Sequence, residues 1–151
     1  PFDRLRGRCR RMKKLSAGGT SVRIMLDHVG INCSDLDAAK AFYDTVLEPL
    51  GYGRVMDVGE YGCGYGRDGD PAFWVSTFAG VGPNREVHIA FQAADAEAVR
   101  AFYEAAVGAG AESLHAPRLW PEYHPGYYGA FVRDLEGNNI EAVCHRAGGE
   151  S

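Results

Sequence analysis

Val87-His88-Ile89-Ala90-Phe91 lies near the middle of the chain and repeats, in altered form, Asp27-His28-Val29-Gly30-Ile31. The likeness continues beyond both stretches. Asp35 is matched by Asp95, and Ala41-Phe42-Tyr43-Asp44 by Ala101-Phe102-Tyr103-Glu104. The offset is 60 at every matched position. Constant spacing of this kind marks a duplicated supersecondary unit, and each copy opens with a histidine.

Working outward, residues 23–33 read as a strand. Side chains alternate faces with period two, so His28, Gly30 and Asn32 share one face and Cys33 turns to the other. Ser34 or Asp35 then caps a helix. Its apolar stripe is Leu36, Ala39, Phe42, Tyr43, Val46 and Leu47, and Pro49 and Gly51 stop it. Residues 52–58, 61–66 and 72–77 read as strands, with Asp68-Gly69-Asp70 as a turn. The second copy has a strand at 86–93 and a helix at 95–107 that buries Val99, Phe102, Tyr103 and Val107. A short strand at 111–115 follows, then a loop at 119–126. Strands at 127–133 and 139–145 flank the turn Asp134-Leu135-Glu136-Gly137-Asn138. With one residue inserted, Phe73-Trp74-Val75 falls on Ile140-Glu141-Ala142. Each module is β-α-β-β-β, an α+β class, over about 25–79 and 86–146, and Gly80 to Arg85 links them.

At 151 residues the chain is one compact domain, or two small halves sharing a core. No run of about 18 apolar residues exists, so no membrane span is expected. Cys9, Cys33, Cys63 and Cys144 form no C-x-x-C pair, and a reducing cytoplasm is the expected setting. Residues 1–24 hold eight basic residues against Asp3 alone, a net of +7, which leaves −11 on the other 127 of a chain whose total is −4. An acidic body argues against nucleic acid as a partner. Residues 1–20 lack apolar periodicity. They read as a disordered basic arm, or as a segment upstream of the natural start, since Met25 directly precedes the first strand; 147–151 read as a tail.

These pieces resemble the vicinal oxygen chelate superfamily, which holds glyoxalase I, the extradiol dioxygenases, fosfomycin-resistance transferases and bleomycin-binding proteins. The matching text is His28 with Asp35-Leu36-Asp37 and Phe42-Tyr43, then Val87-His88-Ile89-Ala90, then Arg133-Asp134-Leu135-Glu136-Gly137-Asn138-Asn139-Ile140-Glu141. It covers about residues 25–146. The resemblance implies that each module curls a mixed sheet, that two modules form a cup, and that a metal sits on the first and last strand of each. Those positions are His28, Trp74, His88 and Glu141. Three of them can ligate, and two imidazoles with one carboxylate suit one divalent Fe, Mn, Zn or Ni per chain. Trp74 stands where glyoxalase I has a fourth ligand. No histidine between His28 and His88 serves as the acid–base group of extradiol dioxygenases, and Pro117-Arg118-Leu119-Trp120-Pro121 is not the ion-binding loop of fosfomycin transferases.

Each candidate has a plainer reading beside it. The cup could bind organic molecules without metal. Glu141 interrupts an otherwise apolar strand, which favours a ligand or catalytic carboxylate, because an unpaired buried one is costly; it could also point to solvent. Trp74 reads as a cup wall for a flat or apolar ligand. Tyr123, His124, Tyr127 and Tyr128 cluster where a loop crosses the cup mouth, and His124, Tyr127 and Tyr128 are candidate substrate contacts. His115 is either an acid–base residue or a half-exposed strand end, and His145 reads as surface. The expected function is a divalent-metal-dependent, glyoxalase- or dioxygenase-like enzyme, a lyase, isomerase or dioxygenase. It would act on a small oxygen-rich substrate chelated through adjacent oxygens. The alternative is a metal-free, antibiotic-binding protein of the bleomycin-resistance type. Open sheet edges point to a homodimer.

Deleting residues 1–20 should leave Tm within about 2 °C of the full chain, since no apolar face is lost. A drop of many degrees in a calorimetric scan would show that the arm docks on the body.

Overall fold

The alternation around each histidine produces a short edge strand. A computed structural model describes residues 26–77, 82 and 85–145, so the basic arm and the tail lie outside the described residues. β1 (Val29–Asn32) runs parallel to β4 (Asp70–Ser76), and β5 (His88–Gln92) runs parallel to β8 (Asn139–Cys144). Parallel neighbours need a crossover connection. α1 (Leu36–Leu47) and α2 (Ala96–Gly108) supply it. Both start in the same way, with an extended aspartate whose Oδ1 accepts the backbone N–H three residues on. Asp35 takes Ala38 at 2.9 Å and Asp95 takes Ala98 at 2.8 Å. After α1 a 3-10 turn with Pro49 closes on Gly51, whose φ of 74° lies in the left-handed region.

β2 (Gly53–Asp57) and β3 (Gly62–Arg67) complete one sheet, ordered β1-β4-β3-β2. β6 (Glu112–Leu119) and β7 (Tyr128–Arg133) complete the other, ordered β5-β8-β7-β6. The architecture is α+β, two four-stranded mixed sheets that do not close on themselves. The deduced match between modules holds to the residue: Gly30 pairs with Trp74, and Ala90 with Glu141.

One core serves both modules. Ile31, Cys63 and Val75 meet Phe42, Tyr43, Val46 and Leu47 of α1, while Val99, Phe102 and Ala106 of α2 join the same cluster. The helices pack on each other, and the Phe73 and Phe91 rings meet edge to face at 5.2 Å across the modules. Val107 does not reach this core; it is 43 % exposed, because α2 turns residues 99, 102 and 106 inward and leaves 107 beyond their face. β6 is also longer than the strand expected at 111–115. Pro117 lies inside it without breaking it, since an edge strand can lose a donor, and a register irregularity between His115 and Arg118 spans it. Among the described residues no helix is long and apolar enough to cross a membrane.

The β7–β8 turn docks on α1 through a buried polar joint. Tyr43 Oη donates to Asp134 Oδ2 at 2.6 Å, and burial beside that carboxylate pushes the phenol pKa well up, so it stays a donor. Tyr43→Phe should cost about 1–3 kcal/mol, as expected when a buried acceptor loses its donor. Equilibrium urea unfolding reads this as a lower midpoint with an unchanged slope; an unchanged midpoint would show that the joint carries no stability.

Candidate metal and ligand site

The face of each sheet away from the helices carries the candidate residues. On the second sheet, register aligns Ala90, Glu141, Phe131 and His115 in one row across all four strands. His88 lies two residues from Ala90 and therefore on this face, as does its partner Asn139. Glu141 is 1 % exposed even here, because the chain after β6 folds back over the sheet. Trp120 N donates to Tyr127 O at 2.8 Å, and Trp120 Nε1 to Gly129 O at 3.1 Å. The Trp120 and Phe131 rings meet at 5.1 Å, and His115 sits edge-on to both, at 5.0 and 5.6 Å.

Glu141 has two different surroundings. Its Oε1 accepts from Tyr127 Oη at 2.5 Å, and its Oε2 lies 3.2 Å from His88 Nε2. The His88 ring stacks on Phe131 at 6.0 Å. Burial raises the Glu141 pKa, while the Tyr127 hydrogen bond and His88 pull it back down. Burial also pushes the Tyr127 phenol up, with Glu141 adding to the shift. At the rim, His124 Nδ1 is 2.8 Å from Pro125 O, so that nitrogen is the donor. Its Nε2, 3.0 Å from His145 Nδ1, is then the acceptor in the neutral pair.

The structure therefore brings His88, Glu141, Tyr127, His115 and His124 to one face. Tyr128 lies on the other face. It pairs with buried Cys144, packs beside the core and receives Arg100 Nη1 at 3.4 Å, since consecutive residues point to opposite sides. Trp74 belongs to the first sheet, and His28 lies just before its strand β1. His28 is exposed and bonded to its neighbour Asp27 at 2.7 Å. Trp74 lies on the outer face with glycine on both sides. A Cβ on Gly64 would stand 3.1 Å from the indole, and one on Gly30 would stand 3.6 Å from Trp74 Cβ.

Sequence reasoning missed Phe131, Trp120 and Asn139. Phe131 was reachable by counting in twos from Gly129, and Asn139 by counting back from Glu141. Trp120 carried no signal, because only the folded loop puts it there.

The donors fit a divalent cation in part. A buried carboxylate oxygen faces an imidazole nitrogen, and Asn139 Oδ1 is buried on the same face without a partner. A nitrogen–oxygen set of this kind suits a borderline cation. Among the described residues no third histidine, cysteine or acid completes a cluster.

The raised Glu141 pKa sets a prediction. The folded state holds this proton more tightly than the unfolded chain, so its contribution is present below the unfolded value, about 4.3. It is lost as pH rises through the folded pKa. In metal-free protein Glu141→Gln should thus raise Tm at pH 7, by an amount that shrinks toward pH 4. Thermal melts at both pH values test it; a lower Tm at pH 7 would refute the idea that the charge is costly.

The sequence model of the Glyoxalase/Bleomycin resistance protein/Dioxygenase superfamily matches residues 25–142. A glyoxalase/bleomycin resistance protein from Albidiferax ferrireducens T118 is 27 % identical with a TM-score of 0.71, over 80 % of this chain and 98 % of that one. A putative glyoxalase from Bacillus halodurans is 25 % identical with a TM-score of 0.61, over 80 % and 96 %. A lactoylglutathione lyase from Agrobacterium tumefaciens, at 20 % identity and a TM-score of 0.58 over 82 % and 95 %, shares the fold. No curated protein matches the sequence. The duplicated modules, their register and the span of this match agree, and the chain belongs to the Glyoxalase/Bleomycin resistance protein/Dioxygenase superfamily.

Proposed function

We propose that the chain is a divalent-metal-dependent enzyme of the glyoxalase or dioxygenase type, acting on a small oxygen-rich substrate held through adjacent oxygens. The observation that carries this reading is Glu141, a carboxylate buried on an outer sheet face with one oxygen turned toward His88. Burying such a group costs stability, and a bound cation offsets the cost. His88 and Glu141 of one subunit and His28 of a second copy would hold one Fe, Mn, Zn or Ni ion. When bound, the ion would polarise the substrate's adjacent oxygens as a Lewis acid.

The chain's own groups do the rest. Phe131 and Trp120 cover the carboxylate, and Trp74 of the second copy would offer a flat wall. His115 and His124 stand at the rim, where either imidazole can accept or return a proton. A homodimer is part of the proposal. Leu26, Val29 and Val87 are exposed apolar residues beside the edge strands β1 and β5, the same edges that carry His28 and His88. The buried thiols Cys33, Cys63 and Cys144 support a reducing, cytoplasmic setting.

The aromatic lining by Trp120, Phe131 and Tyr127 favours a second reading, a cup that binds a flat organic molecule without metal. Elemental analysis of untagged protein separates the two. About one divalent metal per chain is expected, with sharply weaker uptake in His88→Ala; no metal, and no uptake of Fe(II), Mn(II), Zn(II) or Ni(II), would leave the binding protein. Mixing His28→Ala chains with Glu141→Ala chains tests the shared site. Partial return of metal binding is expected, because half the sites in a mixed dimer hold all three ligands. A dimeric, exchanged mixture that binds no metal would place each site within one chain.

A further inference from the structure

We propose that Tyr127 is a positioning residue that fixes Glu141 as a one-oxygen ligand, an inference that rests on the metal-binding reading above. A free carboxylate can grip a cation through one oxygen or both. Here the two oxygens already differ. Tyr127 Oη donates to Oε1 at 2.5 Å, and Oε2 alone faces His88 Nε2.

The phenol is itself held in place. Tyr127 N donates to His124 O at 3.2 Å, and Tyr127 O accepts from Trp120 N at 2.8 Å. The rings of Tyr123, His124 and His145 meet its ring edge to face, with centroids at 5.0, 5.3 and 5.3 Å. The backbone beneath makes room for this pair. A Cβ on Gly129 would stand 3.0 Å from Glu141 Oε1 and 3.3 Å from Tyr127 Cε1. These contacts hold the phenol on Oε1, so one more position on a bound cation would stay open for a two-oxygen substrate. Groups that orient a ligand from behind typically govern affinity ten- to a hundred-fold.

The test uses the full chain and Co(II) alone, whose visible absorption reports coordination number. In Tyr127→Phe, Oε1 loses its donor and turns to the metal. The visible band should weaken as coordination rises, and Co(II) affinity should fall about ten- to a hundred-fold. Gly129→Ala, which keeps the hydroxyl but presses on Oε1, should shift the same band and serves if Tyr127→Phe does not fold. A band unchanged in the folded variants overturns the positioning role and leaves the metal reading standing. A wild-type chain that binds no Co(II) overturns both.

Discussion

The buried carboxylate of Asp134 is the joint on which the arrangement of the two modules depends. It receives Tyr43 Oη from α1, the backbone N–H groups of Glu136 and Asn138, and Asn138 Nδ2. Asn138, itself fully buried, accepts from Val87 N at 3.3 Å through its Oδ1, where the chain enters β5. Glu136 reaches the opposite way and accepts both the N–H and the hydroxyl of Ser34, each at 2.7 Å. One turn thus holds the start of α1 in the first module and the start of β5 in the second. Buried networks of this kind gain from being complete, because each group left without its partner keeps its full desolvation cost. The position of His88 follows, since it is the residue after Val87.

The two outer faces share a register but not a chemistry. On the first sheet, the row through Gly30, Trp74, Gly64 and Met56 has one large ring flanked by two glycines, and the indole leans over Gly64. On the second, the equivalent row carries Glu141, Phe131 and His115, and the loop from Trp120 to Tyr127 covers it. Duplication supplied the same two positions twice. One copy holds a charge under an aromatic cover; the other holds a bare wall.

Much of this was legible in the sequence, because the repeat and the period-two alternation are backbone properties. The two helices, Asp35 as one of two cap candidates and the match of Trp74 with Glu141 follow from spacing, while their place on the last strand of each module came from the family resemblance. Tyr127 and Tyr128 show the limit. Adjacent tyrosines look alike until the strand's first residue is fixed, and β7 begins at Tyr128 with its ring toward the core. The strand expected at 111–115 extends to Leu119, and the strand order shows that Pro117 sits on an edge that tolerates it. The Asp134 joint was read as a turn alone. Its partner Tyr43 lies 91 residues away, and no local pattern encodes that distance.

The parallel edge strands also set an order of assembly. In β4 and β8 the neighbours on the antiparallel side close through tight turns, Arg67 with Asp70 and Arg133 with Asn139. On the parallel side, Val29 must find Phe73 and His88 must find Asn139, with a whole helix between them. Loop-closure entropy rises with chain length and long-range pairing is slow, so the hairpins are expected to form before β1 and β5 are added. His28 and His88 travel with the last strands to arrive. A metal at these residues would therefore act as a latch on completed sheets rather than as a nucleus for them.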